Sequence, residues 1–161
     1  MTIEIGDTLP DATFVTMGAE GPEEVKLADI SGGRIVIFAV PGAYTPTCSS
    51  AHVPSFIRTY DALKAKGIDA IYCVSVNDPF VMKAWGEATG ATDAGIVMLS
   101  DADAAFTKAI GLEFTAPPVG LISRSRRYSM VVEGGKVTHL NIEAGPGVCE
   151  LSAGETLLDQ L

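Results

Sequence analysis

Basic residues are scarce: eleven Lys and Arg stand against twenty Asp and Glu, a formal net charge of -9 over 161 residues. Long-range electrostatics therefore oppose approach to nucleic acid or to an anionic membrane, and neither is an expected partner. Long apolar runs are also missing. The longest purely apolar stretch covers residues 35–41, far short of the roughly 20 residues a spanning helix needs. The first residues lack the basic and then apolar regions of a signal peptide, so a cytoplasmic location is expected. Cysteine is limited to Cys48, Cys73 and Cys149, too few and too scattered for a secreted disulfide framework. No Cys-x-x-Cys pair occurs, which disfavours a thiol-disulfide oxidoreductase. A reducing compartment would keep these thiols free at rest and available for chemistry.

Apolar residues make up 47% of the chain, near the upper end for a soluble protein, which suggests surface covered by a partner chain. No repeat, low-complexity tract or linker-like shift divides the sequence, so residues 1–161 are expected to form one domain. Residues 12–16 and 24–28 suit an edge hairpin around a Gly/Pro turn, and the continuous apolar run 34–40 suits a buried strand. After Pro41-Gly42, Thr45 is placed to cap a helix with Pro46 at its first position, and Val53, Phe56, Ile57 and Leu63 follow at helical spacing. Pro54 should kink that helix. A second buried strand is expected over 68–76. A helix from Asn77-Asp78-Pro79 to about residue 89 should follow, with Phe80, Met82, Ala84 and Trp85 for packing. A short strand over 95–99 and a short helix over 103–110 come next. Strands 128–132 and 136–142 flank Glu133-Gly134-Gly135, a hairpin turn signal, and a helix over 153–161 ends the chain. Parallel crossovers followed by an antiparallel hairpin predict an α/β, thioredoxin-like fold: a mixed central sheet flanked by helices.

The informative segment is Pro-Gly-Ala-Tyr-Thr-Pro-Thr-Cys-Ser, residues 41–49. It puts Cys48 in the first helical turn, where free backbone N–H groups and the positive end of the helix dipole stabilise a thiolate. Position alone leaves a second reading open, that of a small buried apolar residue. Thr45 is first of all a helix cap, although its hydroxyl can also reach a ligand at Cys48. Arg124, Arg126 and Arg127 cannot be separated by spacing, and such a cluster ordinarily lies on a solvated loop. His52 follows Cys48 by one helical turn, which invites a base or metal-ligand role. Too few further ligands stand at regular spacing for a metal site, and a capped or solvent-facing imidazole is expected instead. His139, in the late hairpin, is equally unremarkable. Trp85 reads as helix packing that could report on rearrangement nearby.

The 41–49 segment resembles the peroxidatic-cysteine motif of the peroxiredoxins, whose core is Pro, three residues, Thr, two residues, Cys. Val-Ser-Val-Asn-Asp-Pro-Phe-Val-Met-Lys-Ala-Trp (74–85) and Arg-Ser-Arg-Arg-Tyr-Ser-Met-Val-Val (124–132) are similar to the type-V, or plant type-II, branch of that family. The resemblance covers nearly the whole chain. It implies a thiol peroxidase for hydrogen peroxide and alkyl hydroperoxides, with no cofactor and no metal. The Cys48 thiolate would attack one peroxide oxygen, expel water or alcohol and become a sulfenic acid. Thr45 would orient the peroxide, Arg127 would hold the thiolate and polarise the O–O bond, and Pro41 would shield the sulfur from bulk water. Cys73 matches the position of a resolving cysteine in plant type-II relatives, although its own surroundings read as a strand interior. A Cys48–Cys73 disulfide needs Cα atoms within about 7 Å, so the helix start would have to unwind. Cys149, beyond Gly145-Pro146-Gly147 in a segment expected to be mobile, is the other possible resolving thiol or else a free surface thiol. Alternatively, glutathione with glutaredoxin, or thioredoxin, attacks Cys48 directly. A homodimer is the implied assembly. The reading from a different class is a non-catalytic thioredoxin-like binding module, for which Cys48 would be dispensable.

Overall fold

The computed structural model describes residues 1–161. A hairpin of β1 (Thr13–Gly18) and β2 (Gly21–Lys26) opens the regular structure and leads into a single turn, α1 (Leu27–Ile30). The apolar run Arg34–Ala39 forms β3. Residues 46 and 47 then start a helix that passes through a π-turn over Cys48–His52 and continues as α2 (Val53–Ala65). The Val53 N–H donates to the Cys48 carbonyl, five residues back. Pro54 accounts for the irregularity: it has no N–H to give, and its ring cannot stand against the carbonyl four residues earlier. The bend expected at this proline is thus taken up as one π-turn.

Next come β4 (Ala70–Ser75), α3 (Pro79–Thr89), the short α4 (Ala91–Ala94), β5 (Val97–Ser100) and α5 (Ala105–Ala109). At the start of α3 the Asp78 carboxylate accepts from the Val81 N–H at 2.9 Å, with Pro79 at the first helical position. Phe80 and Ala84 were expected to pack, but both are exposed; the buried side of this helix is carried by Met82, Trp85 and Gly86. Residues 111–127 hold a second difference from expectation. Short strands β6 (Glu113–Ala116) and β7 (Leu121–Ser125) pair as a separate two-stranded sheet around the turn Pro117–Val119. Both are short, and β7 (Leu-Ile-Ser-Arg-Ser) lacks the regular alternation that marks a strand by pattern. The chain closes with β8 (Tyr128–Glu133), β9 (Lys136–Ile142) and α6 (Gly154–Gln160).

The main sheet has seven strands in the order β2-β1-β5-β4-β3-β8-β9. Central β3 runs parallel to β4 and antiparallel to β8, so the sheet is mixed, as the pattern predicted. Side chains alternate across it. Ile35, Ile37 and Ala39 face one core with Phe14, Phe106, Tyr128 and Met130. Val36, Phe38 and Val40 face the other, with Cys48, Phe56, Cys73, Trp85 and Leu157. The register places Phe38 of β3 beside Cys73 of β4. No helix is long and apolar enough to cross a membrane.

Candidate active site

The segment after β3 is shaped before any side-chain chemistry enters. Pro41 and Gly42 leave the strand, and Tyr44 adopts φ +64° in the turn that follows. A left-handed conformation at an aromatic residue is unfavourable by about 1–3 kcal/mol and must be held by its surroundings. Asn77, beyond β4, supplies one hold: its Oδ1 accepts from the Ala43 N–H at 3.0 Å and from the Ser75 hydroxyl at 2.6 Å. Arg124 supplies another, donating to the Pro41 carbonyl at 3.3 Å. A Cβ at position 42 would stand 2.6 Å from Arg124 Nη1, so any larger residue there would displace the guanidinium. This arginine therefore shapes the turn, and Arg126 bonds the Glu143 carbonyl at 3.0 Å.

Arg127, just before β8, is the one that reaches the cysteine. Its Nη2 donates to Cys48 Sγ at 3.1 Å and to the Pro146 carbonyl at 2.8 Å. The side chain is 1% exposed and Cys48 is fully buried, so this contact is made away from bulk water, where a charge-assisted bond is strongest. A cavity of about 350 Å³ opens beside Arg127, lined by Pro41, Thr45, Thr47, Val119, Leu121 and Arg127 among others; Cys48 itself is buried and does not line it. The Thr45 hydroxyl does not cap the helix as expected. It donates to the Gly42 carbonyl at 2.8 Å, which leaves its lone pairs free for a donor in the cavity. The geometry thus gathers Cys48, Thr45, Arg127 and Pro41, which lie as far apart as strand end, helix start and β8 in sequence.

Of the two expectations for His52, capped or solvent-facing, the structure contradicts the second. The ring is fully buried, tilted against Phe38 at 4.9 Å between ring centroids, and it touches Arg127. Its Nε2 stands 3.1 Å from the Ser152 carbonyl and its Nδ1 stands 3.0 Å from Arg127 Nη1. A carbonyl can only accept, so Nε2 carries the proton and Nδ1 accepts from the guanidinium. Both ring nitrogens are therefore engaged within the protein and neither is free for a metal. Burial, and then the Arg127 charge, push its pKa down from 6.5 to about 3, against a smaller upward effect of the Ser152 carbonyl. The ring is neutral at physiological pH. The spacing of one helical turn after Cys48 was the available signal, but nothing in the pattern said that the face would be covered by the segment around Ser152.

Cys73 and Cys149 are both free thiols, like Cys48. Cys73 is fully buried in the same apolar cluster as Cys48, and burial, with a further contribution from Cys48, holds its pKa well above the ordinary thiol value. It is therefore a protonated strand residue in this conformation. Cys149 is half-buried, and its pKa is also raised, chiefly by burial. Its segment is tied down rather than free: Glu143 Oε2 accepts from the Glu150 N–H at 2.8 Å and from Ser152 N–H and hydroxyl, both at 2.7 Å. Trp85 Nε1 donates to the Ser49 hydroxyl at 3.0 Å, which links the only tryptophan to the residue after Cys48.

Residues 4–158 match the Redoxin family. Among curated proteins, the chain is 48% identical to Peroxiredoxin-2E-2, chloroplastic, of Oryza sativa subsp. japonica, over 97% of this chain and 72% of that one. It is 42% identical to Peroxiredoxin-2C of Arabidopsis thaliana, over 99% of this chain and 98% of the relative. Among solved structures it is similar to reduced Prx3 in complex with H2O2 from Vibrio vulnificus, with TM-score 0.92 and 50% identity over 99% of each chain.

Proposed function

Because the chain belongs to the Redoxin family, and within it to the peroxiredoxins of the plant type-II kind, we propose that it reduces hydroperoxides at Cys48 and is recharged by an external thiol. The observation that carries this assignment of residues is the 3.1 Å contact of Arg127 Nη2 with Cys48 Sγ, beside the cavity that Arg127 lines. The guanidinium donates to the sulfur, and the first-turn N–H groups of the helix add to the positive potential around it. A peroxide entering past Pro41 donates its O–H to Thr45 Oγ1, whose own proton is committed to Gly42. The thiolate pair attacks the nearer peroxide oxygen in line with the O–O bond. That bond breaks, the distal oxygen leaves with the electron pair as hydroxide or alkoxide, and a proton from solvent completes water or alcohol. The sulfur, oxidised by two electrons, becomes a sulfenic acid. Arg127, which lines the same cavity, opposes the negative charge that grows on the leaving oxygen.

The reductant we assign is glutathione with glutaredoxin, or thioredoxin. A thiolate attacks the Cys48 sulfenic sulfur and forms a mixed disulfide, expelling hydroxide that takes a proton from solvent to become water, and a second thiol releases Cys48. The support is the state of the two other cysteines: Cys73 is locked in a strand with its thiol protonated, and Cys149 sits on a tethered segment. Hydrogen peroxide and small alkyl hydroperoxides suit a cavity of this size, and the Vibrio vulnificus relative was solved with H2O2. A homodimer accounts for the large apolar side chains left exposed at Tyr44, Phe80, Val119 and Ile122. A cytoplasmic location fits three free thiols, although the rice relative is named for the chloroplast. The test is peroxide consumption with glutathione and glutaredoxin: Cys48→Ser should abolish it, and full turnover by that variant would sink the mechanism.

A further inference from the structure

Three contacts orient the Arg127 guanidinium: Cys48 Sγ, the Pro146 carbonyl and His52 Nδ1. The last two depend on one irregular segment, residues 144–152, which runs from β9 towards α6. Pro146 lies on it, and the imidazole is held in its tautomer by the carbonyl of Ser152, near its end. A segment without ladder or helix bonds needs another means of being fixed, and the Glu143 side chain supplies it. One carboxylate oxygen, Oε2, gathers the Glu150 N–H and both the N–H and hydroxyl of Ser152.

We propose that Glu143 is a positioning residue for Arg127, acting through the strap of residues 144–152 that its carboxylate holds against the guanidinium. The proposal rests on the roles given to Cys48 and Arg127 above. Glu143 is itself anchored at the right place: its N–H donates to the Arg127 carbonyl at 3.0 Å, and its carbonyl accepts from Arg126 Nη2. It is 2% exposed and makes no ion pair with Arg127. The two side chains instead share the lining of a cavity of about 140 Å³, so the route between them is the strap. Burial pushes the Glu143 carboxyl up, but the bonds from Ser152, Glu150 and Leu151 outweigh it and bring the net pKa below 4.5. The acceptor is therefore an anion, and bonds to an ionised acceptor are roughly twice as strong as neutral ones. The far end of the strap is equally fixed: the Gly154 N–H donates to Ser55 Oγ at 2.9 Å, and a Cβ at Gly154 would collide with the Ser55 carbonyl and Thr59 Oγ1. Released at Glu143, the strap would keep its Thr47–Gly147 bond and its Gly154 anchor, but the Pro146 and Ser152 carbonyls would lose their fixed positions against Arg127 and His52.

Two readouts test this on the full chain. One is the rate of Cys48 oxidation by hydrogen peroxide, followed by Trp85 fluorescence; the other is the pH profile of Cys48 alkylation by iodoacetamide, which involves no peroxide. Glu143→Ala should slow oxidation about tenfold or more and move the alkylation profile to higher pH, the loss expected when a transition-state contact is misplaced. Glu143→Gln, which keeps an oxygen for the strap, should stay within about threefold of the parent. Wild-type rate and profile in Glu143→Ala, or a Gln variant as slow as the Ala variant, would overturn the proposal. Should Glu143→Ala not fold, Ser152→Ala removes a single bond to the carboxylate, and an unchanged rate and profile there would overturn it equally. A parent protein that fails to react with peroxide, while Glu143→Ala still shifts alkylation, would refute the peroxidase assignment and leave the positioning role standing.

Discussion

Acidification offers a sharp test of the buried imidazole at the centre of the site. In the folded chain His52 has a pKa of about 3, whereas its ordinary value, expected when unfolded, is 6.5. Between these values the unfolded chain binds a proton that the native chain refuses. The stability contributed by the neutral ring is thus fully present above pH 6.5 and is lost progressively as pH falls towards 3. The slope approaches about 1.4 kcal/mol per pH unit, and integrating from pH 6.5 to 4.5 gives a loss of about 2 kcal/mol from this residue alone. Other groups titrate over the same range, so the measurement is a comparison. His52→Asn does not titrate yet keeps an oxygen where Nδ1 accepts from Arg127. Urea unfolding of both proteins at pH 6.5, 5.5 and 4.5, with all thiols reduced, should show the parent losing about 2 kcal/mol more than the variant. Parallel pH dependences would mean that His52 is not held neutral by burial and by Arg127, and the tautomer on which the site geometry rests would be wrong.

Other expected outcomes follow from single contacts. Arg127→Ala should slow the first oxidation of Cys48 by at least about tenfold, some 1.4 kcal/mol of transition-state stabilisation, in stopped-flow tryptophan fluorescence. Cys149→Ser should change turnover with glutathione and glutaredoxin little, because its thiol is not needed when an external thiol resolves the sulfenic acid; loss of turnover would assign it the resolving step. Asp78→Ala removes the side-chain cap of α3 and should lower stability by about 1 kcal/mol in denaturant titration without slowing Cys48 oxidation.

Much of this arrangement can be read from the chain alone, and the exceptions share a cause. The buried run at 35–40, the Asp-Pro start of α3 and the Gly-Gly hairpin are local signals, and each appears as an element within a few residues of its expected place. The mixed sheet follows from their order. Cys48 and Thr45 are legible because strand end, proline and cysteine follow one another in nine residues. Arg127 became distinct from Arg124 and Arg126 only through resemblance, since three nearby arginines have no period that tells which one turns inward. The solvent-facing option for His52 fails because its cover comes from residue 152, and no pattern near position 52 encodes that. Glu143 carried no signal at all: one acidic residue after a strand looks like any surface carboxylate until the strap folds over it. Thr45 shows a milder form of the same limit, since its capping chemistry was recognised but its proton goes to Gly42.

The central claim is that Cys48 is the residue peroxide oxidises and that an external thiol restores it. Peptide mapping by mass spectrometry, after one equivalent of hydrogen peroxide with a sulfenic-acid trap present and reductants removed, addresses it directly. The account predicts the trap on Cys48 alone, with Cys73 and Cys149 still reduced. A Cys48–Cys73 or Cys48–Cys149 disulfide would contradict the external resolving step, and an unmodified Cys48 would contradict the peroxidase site itself.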